Sequence, residues 1–241
     1  MSCEHHHHHG SNGDDHVPPI PTSQAQLLHL KINLAQVTAL NLENPRDDLP
    51  KLFKSPQHRY EVKPVIKSDA DEQLILHVPF LNGSVKLHSV ILRTSAHHCP
   101  KTIQIWKNSP QIDFDNVSDF KPHFTVQHPQ IGVAFDEDDD DMPQVVESDA
   151  DFVEHHMPRH IFSGVQHLTL FVKDVYDDED QCRLHLVELR GEFTELSKDP
   201  VITIYELAAN PADHKVVETP NYQMGTNWGN KNGLSRHRKW K

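Results

Sequence analysis

One acidic turn that runs directly into a strand constrains the fold of this chain more than any other stretch. Residues 68–80 carry Asp69 and Asp71 near their start, and aspartate favours a turn because its short side chain accepts hydrogen bonds from nearby backbone N–H groups. After the turn, apolar side chains alternate along one face: Leu74, Leu76, Val78 and Phe80. This period of two predicts a strand lying on an apolar core.

Other stretches also predict strands. We expect them over residues 28–34, 74–80, 84–93, 102–107, 167–173, 183–189 and 201–206, with a short helical turn within 35–42. The pair Asn82-Gly83 predicts a β-hairpin, because both residues tolerate a positive φ. Gly191 predicts a break in its strand, with a bulge or a close approach by another segment. We expect Trp106 to be a core or rim aromatic and not a platform for a ligand. About seven or eight strands with few helices favour an all-β sandwich or barrel.

Charge and length exclude several classes of protein. The 241 residues suffice for one large β domain. A net charge of −12 with neutral histidines argues against a surface for nucleic acid or an anionic membrane, since both require a basic field. No apolar run approaches the ~20 residues that span a bilayer, and the first residues lack the apolar core of a signal peptide. We therefore expect a soluble protein of the cytoplasm and nucleus, monomeric when free, that binds neither nucleic acid nor membranes.

Three segments lack the alternating pattern. Residues 1–22 predict a disordered, histidine-rich tail, which is either natural or an expression tag. Residues from about 134 to 160 include the acidic run 136–141 and predict a solvated loop insertion, because like charges repel one another. Residues 221–241 predict a disordered tail that ends in basic residues. The sequence Ser-Asp-Ala-Asp occurs at 68–71 and again at 148–151; only the first copy leads into an alternating strand, so we interpret the second as coincidental and not as a repeat.

Cysteines and histidines predict no firm metal or redox site. The chain has three widely separated cysteines, which suit neither a disulfide framework nor a redox pair: Cys3, Cys99 and Cys182. Imidazoles suit zinc, nickel or copper, but without fixed spacing we expect only adventitious binding at the tract His5, His6, His7, His8 and His9. The acidic run lacks the spacing of a calcium-binding loop. Pro158 interrupts any helix that would bring His156 and His160 together. We expect no cofactor.

Four stretches, in this order along the chain, resemble the PITH family, which is named for the C-terminal domain of a proteasome-interacting thioredoxin. They are residues 68–80, 105–115, 188–196 and 205–215. The resemblance covers most of the chain and implies one domain over about 23–220. It also implies a jelly-roll β-sandwich similar to galactose-binding-like domains. Because only a short polar segment precedes this domain, we expect a stand-alone form without thioredoxin chemistry.

The same resemblance implies a function. We expect a non-enzymatic protein-interaction module that docks on the 19S regulatory particle of the 26S proteasome as an accessory or regulator. The expected partner-binding residues are polar positions of the family motifs: Asp69, Asp71, Glu72, Arg190, Glu192, Asn210, Asp213 and His214. Each has a structural alternative, since Asp and Asn close turns and Arg190 can pair with a neighbouring glutamate.

Further hypotheses concern the tails and the fold. Trp240 and its basic neighbours can anchor to an acidic groove on a partner. Imidazole is a good ligand for an open zinc position, so His237 or the His5–His9 tract can enter the site of the zinc deubiquitinase in the proteasome lid. The alternative function is a sandwich that binds a small carbohydrate-like ligand. Fold alone does not decide between them.

Overall fold

A computed structural model describes residues 21–135 and 143–196. These residues form nine strands: β1 (Thr38–Leu40), β2 (Ile66–Lys67), β3 (Leu74–Pro79), β4 (Gly83–Thr94), β5 (Pro100–Lys107), β6 (Phe124–Gln127), β7 (Phe152–His156), β8 (His167–Val175) and β9 (Arg183–Glu195). They also form six short 3₁₀ helices: Gln24–Gln26, His29–Lys31, Leu34–Gln36, Arg46–Leu52, Pro56–His58 and Asp149–Asp151. None of the helices described is long and apolar enough to cross a membrane.

The strands form two antiparallel sheets that pack face to face. One sheet has five strands in the order β1-β3-β8-β5-β6, and the other has four in the order β2-β9-β4-β7. Leu76 and Leu170 of the first sheet belong to the same buried cluster as Leu87 and Leu189 of the second. The predicted all-β, jelly-roll sandwich is therefore confirmed.

The alternation that predicted the core is also confirmed. One buried cluster contains Leu74, Leu76, Val78 and Phe80 together with Leu168, Leu170, Val172 and Leu184. Side chains of the opposite face form a second cluster outside the sandwich core, in which Ile75 and Trp106 pack with Ile112 and Phe171. Trp106 is 1% exposed, so it is a buried aromatic of this second cluster, as its prediction as a core or rim residue allowed. The strand predicted at 201–206 lies outside the described residues.

The predicted hairpin at Asn82-Gly83 is wrong. β3 pairs with β1 and β8, whereas β4 pairs with β7 and β9, so the residues between β3 and β4 cross from one sheet to the other. The backbone N–H of Leu81 donates to the carbonyl of Lys31 instead of closing a hairpin. A Cβ on Gly83 would lie 2.3 Å from the ring of Phe193. Glycine is therefore required there for close packing.

The predicted first strand, over residues 28–34, is wrong as well. The 3₁₀ helix His29–Lys31 occupies the centre of this segment, and a second 3₁₀ helix, Leu34–Gln36, begins at its last residue. Leu28 and Ile32 are buried, whereas Leu30 is 79% exposed, so the apolar residues do not share one face. The helical turn predicted within 35–42 is limited to Leu34–Gln36, because β1 follows from Thr38.

The acidic loop predicted from about 134 to 160 contains a strand that the sequence pattern did not reveal. β7 pairs with β4 at the edge of the four-stranded sheet, and its side chains are only partly buried, which explains the missing alternation. The second Ser-Asp-Ala-Asp leads through the 3₁₀ helix Asp149–Asp151 directly into β7. Both copies therefore precede a strand, but the burial of β7 does not alternate, so the interpretation of the second copy as coincidental stays a prediction.

Gly191 has one of the two roles predicted for it. β9 does not break there but continues to Glu195. The pairing of β4 with β9 changes register at this point. Leu87 of β4 pairs with Gly191, and Ser89, two positions further on, pairs with Arg190. A Cβ on Gly191 would lie 2.3 Å from the carbonyl oxygen of Lys86. The predicted close approach of another segment is thus confirmed.

Candidate functional site

Asn41 fixes the acidic turn to the end of β1. It adopts a positive φ of 63°, which asparagine tolerates better than most residues. Its Oδ1 accepts the N–H of Ala70 at 2.9 Å, and its Nδ2 donates to Oδ1 of Asp71 at 2.7 Å and to the carbonyl of Gln73 at 2.6 Å. Asp71 Oδ1 also accepts the N–H of Gln73 at 3.0 Å. The turn predicted at Asp69 and Asp71 is present, and an asparagine from another segment holds it.

The loop after β5 is held against the outer face of the five-stranded sheet. Ile112 is buried beside Trp106 and Phe171. Oδ1 of Asp113 accepts the N–H groups of Asp115 and of the next residue, each at 3.0 Å. The apolar residues of this stretch thus fix the loop to the sheet, and its first aspartate closes the turn.

The acidic turn and this loop line a single cleft of about 830 Å³. We call it the acidic cleft; its polar lining residues are Thr38, Asn41, Asn44, Arg46, Asp69, Asp113 and Asp115. Phe114 adds an aromatic ring that is 38% exposed and packs edge-on against Phe171, with 6.2 Å between ring centroids. The volume lies within the ~300–1,000 Å³ of typical ligand pockets. Two motifs that are far apart in the sequence therefore meet at one concave surface.

The lining of the acidic cleft favours a cation. It carries the carboxylates of Asp69, Asp113 and Asp115 against the single guanidinium of Arg46. Asp69 and Asp115 are exposed, and like-signed charges in a cleft concentrate ions of the opposite sign. Within the described residues, no group of three or more His, Cys, Asp or Glu side chains is arranged to hold a metal ion. The excess of carboxylates thus suits the cleft to a positively charged group.

Arg190 lies in the other sheet, where it is largely buried. Its Nε and one terminal nitrogen both lie 2.7 Å from Oε1 of Glu188, and Nη1 donates to Oγ1 of Thr22 at 3.2 Å. The other oxygen of Glu188 lies 3.5 Å from Nε of Arg59. The pairing of Arg190 with a neighbouring glutamate, the structural alternative, is therefore what the structure shows. Glu192 is exposed, with a carboxylate oxygen 3.5 Å from Nε2 of a buried histidine, His88.

The predicted partner-binding residues thus divide among separate places. Asp69, Asp71 and Glu72 share the acidic turn, whereas Arg190 and Glu192 lie on β9. Others lie outside the described residues: Asn210, Asp213, His214, His237 and Trp240. The tract of His5, His6, His7, His8 and His9, predicted to bind metal only adventitiously, lies outside them too. Binding of a partner by any of these residues stays a prediction.

Sequence reasoning missed several residues of the acidic cleft. Asn41 and Arg46 lie in segments without alternation, and only tertiary contacts bring them to the turn. Asp113, Phe114 and Asp115 belonged to a recognised motif but were not selected as site residues. The available signal was the Asp-x-Asp spacing at 113–115, which repeats that at 69–71.

Comparison with known proteins identifies the family. A family model described as PITH domain matches residues 18–209. This chain belongs to the PITH domain family. PITH domain-containing protein 1 of Danio rerio is 34% identical over 202 residues, with 82% of this chain and 85% of that protein covered. The protein of the same name from Homo sapiens is 30% identical over 203 residues, with coverages of 83% and 85%. Neither name states a catalytic activity.

Solved structures with a similar arrangement of strands are more distant. The CBM32-1 and CBM32-2 domains of Clostridium perfringens ZmpB give a TM-score of 0.43 at 10% identity, covering 68% of this chain and 36% of that one. A fucose-binding module from Streptococcus pneumoniae, SpX-3, gives a TM-score of 0.36 at 9% identity, covering 64% and 91%. Likeness at this level carries no conclusion about what this PITH chain binds.

Proposed function

We propose that this PITH protein is a non-enzymatic interaction module that docks through the acidic cleft on the 19S regulatory particle of the 26S proteasome. The observation that carries the proposal is the convergence of two family motifs on that cleft. The acidic turn contributes Asp69, and the loop after β5 contributes Phe114 and Asp115. A family-level interaction role agrees with membership in the PITH family.

The lining suggests the chemistry of the docked group. Two exposed carboxylates beside an exposed aromatic ring form a site for a lysine or arginine side chain of the partner. Charge-assisted hydrogen bonds to the carboxylates and contact of the cation with the ring of Phe114 both favour such a group. Asp71 and Glu72 lie in the same turn and extend the negative surface.

Co-sedimentation tests this proposal. The purified chain is mixed with 26S proteasomes and, separately, with isolated 20S core, and we expect it to sediment with the 26S particle only. The double variant D69K/D115K should weaken binding by about tenfold or more, since each charge-assisted contact contributes roughly 1.5–3 kcal/mol. The matched control is the double variant E147K/D180K, which changes the net charge by the same amount at exposed acidic residues that do not line the cleft. Equal binding by D69K/D115K and the wild type would remove the acidic cleft from the proposal.

The tails are tested by the same co-sedimentation and by an assay of deubiquitination by the 26S proteasome. Deletion of residues 1–20 and 221–241 asks whether His5–His9, His237 or Trp240 contributes to binding or to inhibition of deubiquitination. Unchanged inhibition after both deletions would end the zinc-site hypothesis. Hits on a glycan array without proteasome binding would instead favour a carbohydrate-binding module.

A further inference from the structure

A second cavity, of about 330 Å³, has the opposite charge to the acidic cleft. We call it the basic cavity; its lining residues are His29, Lys51, Phe53, Lys54, Ser55, His58, Glu61, Lys63 and Pro64. Three lysines and two histidines thus surround a small volume in a chain whose net charge is −12. No residue of this cavity was selected as a site residue from the sequence.

Lys54 is the buried cation of this cavity. It is 8% exposed, and its Nζ donates to the carbonyls of Glu61 and His185, each at 2.7 Å. Burial and the nearby charge of Arg93 lower the pKa of Lys54 to about 8. Two carbonyl acceptors leave one of the three N–H groups of the ammonium for a further acceptor. Because a buried charge is costly without compensation, an anion in the cavity would stabilise this arrangement.

The other lining groups are arranged to receive an anion. The one lining carboxylate among the described residues, that of Glu61, already bonds Nδ1 of His58 at 2.6 Å. Lys63 is exposed, and Lys51 is 59% exposed while contacting Asp48 at 2.6 Å. Nδ1 of His29 is buried without a hydrogen-bond partner among the described residues. The cavity is thus lined by the exposed ammonium group of Lys63, by that of Lys51, which is paired with Asp48, and by the fixed, buried one of Lys54.

We propose that the basic cavity binds a phosphate group. A phosphate monoester carries about −1.5 to −2 charges at neutral pH and three strong acceptor oxygens, which matches several converging ammonium groups better than a single carboxylate does. Lysine is a frequent phosphate ligand that acts as a point charge. The volume of the basic cavity, about 330 Å³, lies near the lower end of the ~300–1,000 Å³ range of ligand pockets and leaves room for the phosphate and a few attached atoms. The group comes either from a phosphorylated side chain of a partner or from free inorganic phosphate.

Binding is measured with the full chain by isothermal titration calorimetry at constant ionic strength, with inorganic phosphate and with N-acetyl-phosphoserine amide as probes. Both probes are expected to bind. Tighter binding of the phosphoserine probe assigns the source to a protein side chain, and tighter binding of inorganic phosphate assigns it to a small soluble anion. N-acetyl-glutamate amide should bind at least about tenfold more weakly than phosphoserine, and equal binding would overturn the assignment to phosphate.

Variants test the location. K51Q/K63Q removes two exposed ammonium groups and should weaken phosphate binding by about tenfold or more. The matched control K121Q/K173Q removes the same amount of charge at exposed lysines that do not line the cavity. Lys54 is left intact because it also holds two backbone carbonyls. Absence of phosphate binding by the wild type, or an equal loss in both double variants, would overturn the proposal.

Discussion

A buried pair of histidines makes the stability of this PITH domain sensitive to acid. Nδ1 of His128 lies 2.8 Å from Nε2 of His155, which joins the loop after β6 to strand β7. His128 is fully buried, and its carbonyl accepts the hydroxyl of Tyr176 at 2.7 Å. Burial, and next the charge of His155, lower the pKa of His128 to about 3. Burial, and next the charge of His156, lower the pKa of His155 to about 4. Both rings are therefore neutral in the folded protein at physiological pH.

The magnitude follows from proton linkage. An unfolded chain protonates its histidines near pH 6.5, whereas the folded protein does not protonate this pair until about pH 4 or below. Stability is thus complete above about pH 6.5 and falls as the pH decreases, because protons bind the unfolded state preferentially. At about pH 5, protonation of each ring in the unfolded chain lowers the free energy of unfolding by about 2 kcal/mol relative to neutral pH. Since the rings contact each other, we expect about 2–4 kcal/mol for the pair.

The assay is urea unfolding, followed by circular dichroism, at about pH 7.5 and about pH 5. H155Q replaces one titrating ring with a neutral side chain that also forms hydrogen bonds. The wild type should lose about 2 kcal/mol more than H155Q between these two pH values. H160Q, at an exposed histidine, is the matched control and should behave as the wild type does. Equal losses in the wild type and H155Q would refute the assignment of acid sensitivity to this pair.

Three substitutions test packing and polar contacts by chemical unfolding. G191A places a Cβ 2.3 Å from the carbonyl oxygen of Lys86 and should destabilise the domain by about 1–3 kcal/mol; no effect would mean that β4 and β9 separate easily. R190M leaves the buried carboxylate of Glu188 without its closest cation and should cost about 3–5 kcal/mol, of which the double variant R190M/E188L should recover a large part. N41A should cost about 1–3 kcal/mol through the unmade hydrogen bonds of the acidic turn, and hydrogen exchange should rise first at Ala70.

The parts of the fold that could be predicted are those in which neighbouring residues carry the signal. The alternation of β3 and β8 is visible because one face of each strand contacts the core and the other does not. The pairing of strands was not visible. Asn82-Gly83 is compatible with a hairpin, but whether β3 and β4 share a sheet depends on the residues against which each strand packs. Residues 28–34 alternate in the sequence, yet Leu30 points to solvent because the 3₁₀ geometry does not preserve a period of two.

The candidate site was predictable to a smaller extent. Asp69 was selected because it belongs to a motif, but the residue that holds its turn, Asn41, lies about 30 positions earlier in a segment without a pattern. The basic cavity shows the same limit. Its lysines are spread over 51–63, where no periodicity relates them, and folding alone brings their charges together around one volume.

The polar residues of the family motifs separate into two physical groups, and this separation decides which of them can contact a partner. Asp71, Asp113 and Arg190 already bond the protein's own backbone or side chains, so their substitution would break native contacts. Asp69 and Asp115 are exposed in the acidic cleft. Substitution of the first group should lower the free energy of unfolding and proteasome binding together, whereas substitution of the second should lower binding alone. Proteasome binding and the free energy of unfolding should be measured for the same variants. If R190M lost binding while its free energy of unfolding stayed unchanged, β9 and not the acidic cleft would provide the docking surface.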